Sequence, residues 1–185
     1  MQSTTRREIV LPETKPETEW LRGRAVRKMS PRWVHAALQG WWLLRLSAWA
    51  DGRGRVGTEW RFRVSPPDED IRPLVPDVSY LSYERAGALT EAELQTPLVP
   101  PTAAIEIRSP GDSLADIEDK AATLMRAGTD VVIVVNPRTR TVTAWDREKR
   151  HIFSRGESFQ HVALPGFTFE LDEMFEAARF RPRKR

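Results

Sequence analysis

Residues 103–128, AAIEIRSPGDSLADIEDKAATLMRAG, place the strongest constraint on this chain. The stretch opens with the alternation of a strand and closes as an amphipathic helix, which Gly128 can end in a left-handed C′ conformation. Asp112 or Ser113 supplies the helix N-cap. Yet Glu106 stands mid-strand between Ile105 and Ile107, and Asp116 and Lys120 follow on the helix. In helical projection the apolar side is Leu114, Ile117, Ala121, Leu124 and Met125, with Lys120 beside Ile117 and Leu124. A lysine there can lay its stem along a sheet and deliver its amine to a strand end. A carboxylate and an amine against an apolar sheet are costly unless they meet each other, a metal ion or a substrate.

The rest of the chain supplies a sheet for this unit. Residues 1–16 read as a flexible N-terminal arm, 17–178 as a single domain and 179–185 as a basic C-terminal tail. EWLRGRAVRKMSP reads as two short strands around Gly23. Ser30 and Pro31 then form an N-cap and N1 pair, predicting a helix over 31–50. Its apolar residues Val34, Ala37, Leu38, Trp41, Trp42, Leu44, Ala48 and Trp49 cover more than one core-facing stripe. That excess predicts cover on a second side by another subunit, a homodimer through the Trp-rich helix 31–50.

DGRGRVG spells G-x-G-x-x-G at Gly52, Gly54 and Gly57. It follows a helix and leads into TEWRFRV, an alternating strand, which is the reverse of a dinucleotide-binding context. SPPDEDIRPLVP reads as a loop, DVSYLS as a strand headed by Asp77, and TEAELQ as a helical turn. VVIVV reads as a strand buried on both faces, VTAWDR and HIFSR as a hairpin, FTFEL as a short strand and DEMFEAARF as a closing helix. The order describes a mixed α/β (α+β) domain with one sheet flanked by helices.

Several chemistries are excluded. With no cysteine there are no disulfides, thiolate metal sites or cysteine nucleophiles. No apolar run reaches membrane-spanning length and the N-terminus has no signal-peptide core, so no membrane partner and a cytoplasmic location are expected. His35, His151 and His161 lack metal-ligand spacing, and His35, near a helix start, reads as a capping or surface residue. The net charge of +3, with five lysines among 29 basic residues, favours a nucleic-acid partner only modestly.

Asp77, Glu106 and Lys120 are the residues placed to do chemistry. Two carboxylates and a lysine at a sheet edge suit metal-assisted phosphodiester hydrolysis: hard oxygens hold Mg²⁺, and the lysine orients or deprotonates water and steadies phosphate oxygens. Plainer roles exist for each. Asp116 and Lys120 are spaced for a surface ion pair, Glu106 suits a wet edge-strand position, and Asp77 suits the start of a turn.

Spacing adds a resemblance. PDV at 76–78, IEIRSP about thirty residues later, a lysine 14 after the glutamate, then Gly128 and VVNP, follow one another at set intervals. With EWLRGRAVRKMSP, GRVGTEWRFRV and LPGFTFELDEMF in their places, the chain resembles the bacterial putative restriction endonuclease family of the PD-(D/E)XK nuclease superfamily, the Uma-two type. The resemblance covers about residues 17–176. It implies a restriction-endonuclease-like mixed β-sheet flanked by helices, opened by a β-hairpin. By it, Asp77 and Glu106 are metal-binding acids, the Ile107 backbone carbonyl is a further ligand, and Lys120 is the catalytic lysine moved onto the helix. Glu19 matches an acidic position of the opening hairpin. Arg108 stands where the superfamily's E-x-K motif carries lysine. Leu124, Ile133 and Asn136 also depart from the family pattern, and read as packing and turn changes.

The reading that follows is a Mg²⁺-dependent DNA endonuclease, with Mn²⁺ as substitute. The alternative is a catalytically weak or inactive nuclease fold serving as a nucleic-acid-binding or interaction module. A plain protein-interaction module would account for the Trp-rich helix but leaves Asp77, Glu106 and Lys120 without a role.

Overall fold

Arg22 and Gly23 take positive φ of 48° and 74°, the backbone of a tight turn whose twist suits antiparallel strands. They join β1 (Thr18–Leu21) to β2 (Arg24–Arg27) in the expected hairpin. The structure, a computed structural model, describes residues 6–179. The basic tail from residue 180 onward lies outside the described residues. After the hairpin come α1 (Trp33–Trp49), β3 (Gly54–Thr58), β4 (Phe62–Val64), β5 (Arg72–Leu74), β6 (Val78–Ser82), α2 (Tyr83–Ala86) and α3 (Glu91–Gln95). Then follow β7 (Ala103–Ile107), α4 (Leu114–Ala127), β8 (Val131–Asn136), β9 (Thr141–Trp145), β10 (Arg150–Phe153), β11 (Ser158–Gln160), β12 (Thr168–Glu170) and α5 (Leu171–Ala177).

A six-stranded mixed sheet runs β10-β9-β8-β7-β6-β3. Its β7–β8 pair is parallel and is bridged by α4, while its other pairs are antiparallel. The α4 boundaries follow local chemistry: the Ser113 side chain accepts from the Asp116 N–H, and Gly128 ends the helix at φ 105°. Both faces of the central strands are buried, so their side chains alternate between two apolar layers. Ile105, Ile107, Ile133 and Val135 pack with α1 and the C-terminal segments. Ala104, Val132 and Val134 pack on the other face with Ala121 and Leu124 of α4. Glu106 has the parity of this second layer.

Several elements differ from expectation. The N-cap of α1 is Arg32, without a side-chain cap bond; Lys28 is anchored elsewhere, and Ser30 and Pro31 fall in the non-helical lead-in. TEWRFRV is two strands rather than one, because Glu59 turns through φ 51°. The SPPDEDIRPLVP stretch contains β5, which pairs with β4. Part of the presumed arm is engaged: Ile71 N–H donates to Arg7 O (2.9 Å), Ile9 N–H donates to Ile71 O (2.8 Å), and Arg63 pairs with Glu8.

The aromatic part of the wide apolar arc of α1 is covered by its own chain, while Val34, Leu44 and Ala48 stay exposed. Leu38, Trp42 and Leu46 form the buried stripe, and the β11–β12 ribbon, of which β11 was not expected, brings aromatic rings over its flank. Trp42 meets Phe159, Phe167 and Phe169 at centroid distances of 5.9, 5.7 and 5.2 Å, and Trp41 meets Phe169 at 4.7 Å. Leu124 and Ile133 are fully buried, and Asn136 Oδ1 accepts from the Arg138 N–H at 3.1 Å, consistent with packing and turn roles. No helix among the described residues is long and apolar enough to cross a membrane.

The glycine-rich segment has a packing explanation. A Cβ on Gly54 would lie 2.3 Å from Leu81 O and 2.6 Å from the Tyr80 ring, so glycine lets β3 close onto β6. Gly54→Ala is expected to destabilise the fold by about 1–3 kcal/mol through overpacking, read from urea denaturation midpoints. An unchanged midpoint would show that β3 shifts freely to make room.

Candidate active site

The β6–β7 register pairs Val78 with Ile105, and one step further sets Asp77 opposite Glu106. Residues directly opposite in an antiparallel pair project to the same side of the sheet. Both lie in a cleft of about 370 Å³ that is also lined by Glu19, Lys28, His35, Arg108 and Lys120. Asp77, Glu106, Glu19 and Lys120 are only 3, 7, 4 and 3% exposed. At that burial each charge needs a partner.

Lys120 provides one set. Its Nζ lies 2.6 Å from Glu19 Oε1, 2.8 Å from Val75 O and 2.9 Å from each Glu106 oxygen. It aligns as a donor only to Oε2, which leaves Glu106 Oε1 buried without a hydrogen-bond donor. Glu19 Oε1 also accepts from the Val75 N–H at 2.6 Å. The surface pair between Asp116 and Lys120 does not form. Asp116, in the first turn of α4, faces the hairpin and takes Arg24 at 2.6 Å, while Lys120 one turn later points inward.

Asp77 has a set of its own. Oδ1 accepts from Lys28 Nζ at 2.6 Å, and Oδ2 meets His35 Nε2 at 3.1 Å and the Ile107 N–H at 2.7 Å. Lys28 Nζ also donates to Val75 O at 2.9 Å and reaches Glu59 at 3.2 Å. Val75 O therefore accepts from both ammonium groups.

The electrostatics follow from these contacts. Burial works against ionisation of Asp77, but Lys28, His35 and Lys120 hold its carboxyl well below the usual carboxylate range. Burial also opposes charge on the two lysines. Asp77 and Glu19 raise Lys28, and Glu106 and Glu19 raise Lys120, so both remain ammonium ions. Burial pushes the Glu106 carboxyl up, with Lys120 opposing that shift and Asp77 adding to it.

Asp77, Glu106, Lys120, Glu19 and the Ile107 backbone are thus brought together, and Arg108 lines the same cleft. Sequence reasoning missed Lys28 and misplaced His35. His35 lies at i−3, i−7 and i−11 from Leu38, Trp42 and Leu46, so it heads the buried stripe rather than capping the helix. Lys28 continues the strand parity of the half-buried Val26, a signal available in the alternation alone.

The Asp77 and Glu106 carboxylates are hard oxygen donors of the kind Mg²⁺ or Mn²⁺ takes, Glu106 Oε1 has no competing donor, and it is the N–H of Ile107 that meets Asp77. Among the described residues, no group of three or more His, Cys, Asp or Glu residues is already spaced to hold a metal, because lysines lie between the acids. The donor types fit a divalent ion, and a cation on Asp77 Oδ1 takes the place of the Lys28 contact.

Residues 7–172 match the sequence model of Uma2, described as a putative restriction endonuclease family. No curated protein matches the chain. Among solved structures, a crystal structure described as a putative nuclease belonging to DUF820, from Anabaena variabilis ATCC 29413, superposes with a TM-score of 0.81. The two chains are 22% identical, over 91% of this chain and 95% of that one. At that identity the likeness speaks to the fold, a mixed sheet flanked by helices with an N-terminal hairpin.

The Asp77 contacts carry a pH signature. Its folded carboxyl titrates below the ordinary value of 3.8, so its contribution is fully present above about pH 4 and is lost as pH falls through the lowered value. Asp77→Asn leaves Lys28 with Glu59 and Val75 O and takes the carboxylate from His35, and is expected to cost about 1–3 kcal/mol at neutral pH. The gap between the variant and the wild type should narrow as the pH drops toward about 3. Urea unfolding across that range measures it, and a gap that stays constant with pH would refute the assignment.

Proposed function

Because the chain belongs to the Uma2 family of putative restriction endonucleases, we propose that it hydrolyses phosphodiester bonds in DNA with Mg²⁺, or Mn²⁺ in its place, at the Asp77–Glu106–Lys120 cluster. The observation that carries this reading is the inward lysine: α4 delivers Lys120 to within 2.9 Å of Glu106 at the end of a buried strand, in a cleft open to a ligand. DNA as partner and a cytoplasmic location belong to the proposal. A homodimer through α1 belongs to it as well, on the narrower exposed side of the helix: Phe159, Phe167 and Phe169 cover Trp41 and Trp42, while Val34 and Leu44 stay exposed.

In this reading Asp77, Glu106 and the Ile107 carbonyl hold the metal. The ion, when bound, supplies Lewis-acid polarisation of the phosphate and acidifies a water. Lys28 and His35 keep Asp77 ionised and oriented for that task. Glu19 tethers Lys120 beside Glu106. Held as an ammonium, Lys120 acts by neutralising charge and fixing the phosphate or water oxygen, rather than by removing a proton.

One observation favours the alternative, a nuclease fold kept for binding. Asp77 and Glu106 are each already engaged by a lysine of the same chain. The two readings separate on plasmid incubated with Mg²⁺ or Mn²⁺, with metal affinity followed by calorimetry. The nuclease reading expects nicking that a chelator abolishes. It also expects Lys120→Gln to lower turnover by about 10²–10³-fold while still binding metal, and Glu106→Gln to lose both. Wild-type protein that nicks no DNA with either ion would favour the binding module.

A further inference from the structure

We propose that Arg108 is a substrate contact that grips a backbone phosphate beside the bond to be cleaved; the inference rests on the nuclease reading above. Arg108 follows β7 directly, two residues beyond Glu106, and its N–H donates to Val135 O at 2.9 Å, so the extended backbone continues through it. Strand alternation therefore sends its side chain to the Glu106 side of the sheet, where it lines the cleft with Asp77 and Lys120.

The case is one of partners. The other basic side chains of the cleft are committed: Arg24 to Asp116, Lys28 to Asp77 and Glu59, Lys120 to Glu19 and Glu106, and Arg27 to the Lys15 carbonyl. Among the described residues Arg108 has no ion pair and no side-chain hydrogen bond, and its Nε is buried without an acceptor. Of the acids that flank it in sequence, Glu106 is held by Lys120 and Asp112 is turned to the Ser109 N–H at 2.6 Å. A half-buried guanidinium with a desolvated, unsatisfied N–H is costly to the free protein. A ligand that supplies oxygens removes that cost, and the planar fork of guanidinium matches the two free oxygens of a phosphodiester.

The contact reads out in the salt dependence of binding. Each phosphate contact contributes about 0.9 to the slope of log K against log salt on duplex DNA. Binding of fluorescein-labelled duplex by wild type, Arg108→Ala and Arg108→Lys is followed by anisotropy in chelator, where no cleavage occurs, across a sodium chloride series. Arg108→Ala is expected to flatten the slope by about 0.9, while Arg108→Lys keeps the slope. Because the side chain holds nothing within the fold, and its buried N–H costs the free protein, the melting temperature of neither variant should fall below that of the wild type. An Arg108→Ala slope equal to that of the wild type, or a melting temperature lowered in both variants, overturns the contact and leaves the nuclease reading standing. Wild-type protein with no salt-dependent binding to duplex overturns both.

Discussion

The Lys120 ammonium, placed where an apolar side chain would ordinarily pack, organises the rest of the molecule. It satisfies itself on Glu19 from the hairpin, Val75 from the approach to β6 and Glu106 from β7. Three parts of the chain are tied to α4 by one side chain. Removing charges from water costs several kcal/mol per ion even after relaxation, and the mutual attraction offsets this only when the hydrogen bonds are well made. Replacing the cluster by hydrocarbon of similar volume is often neutral or stabilising. Stability alone therefore does not explain why the charges are there.

The peptide of Val75 turns two ion clusters into one. Its carbonyl accepts from Lys28 and Lys120, and its N–H donates to Glu19. Displacing that peptide therefore disturbs the partners of Asp77 and of Glu106 together. Sheet parity does the remainder. Asp77, Glu106 and Arg108 are on the layer that elsewhere holds Ala104, Val132 and Val134, so the apolar packing that fixes the strands also aims the polar side chains at their ends. The geometry of the cluster is a continuation of the core pattern, with charge substituted for hydrocarbon where the cleft opens.

How much of this was legible in the sequence depended on how local each signal was. Glu106 and Lys120 stood out because each broke an apolar pattern of known period, and Asp77 because it headed an apolar strand after proline. The hairpin, α4 and β8 were carried by turn, cap and run signals within a few residues. Pairings between distant segments were hidden. The β4–β5 ribbon sits partly in a proline-rich stretch, and Pro73 opposite Arg63 is tolerated where a central strand would reject it. The cover over α1 comes from phenylalanines more than a hundred residues away, so a wide apolar arc could be read as readily for a second subunit. Lys28 and His35 lie in alternation and stripe positions that point inward, a periodic signal that a turn-rich lead-in and a place near a helix start conceal.

The lysines also decide how the fold relates to a metal. A structural zinc site folds around its ion, and the apo chain is unfolded. Here the acids have ammonium partners in the same chain, with Asp77 Oδ1 held by Lys28 and Glu106 by Lys120, so an ion is not needed to pair the buried charges. The two lysines are not equivalent in this respect. Lys120 has a second buried carboxylate, Glu19, to keep it in place if Glu106 turns to another cation. Lys28 has Val75 O and the more exposed Glu59 to fall back on if it yields Asp77 Oδ1. Both can therefore give up one oxygen without becoming buried, unpaired charges, the condition that makes loss of a buried ion-pair partner so costly. A cluster built this way has its charges paired without an ion and still has two carboxylates to offer. In the nuclease reading, divalent-ion binding would be an exchange of one cation for another on the same oxygens, with its affinity set by the difference between them rather than by the full attraction of bare acids.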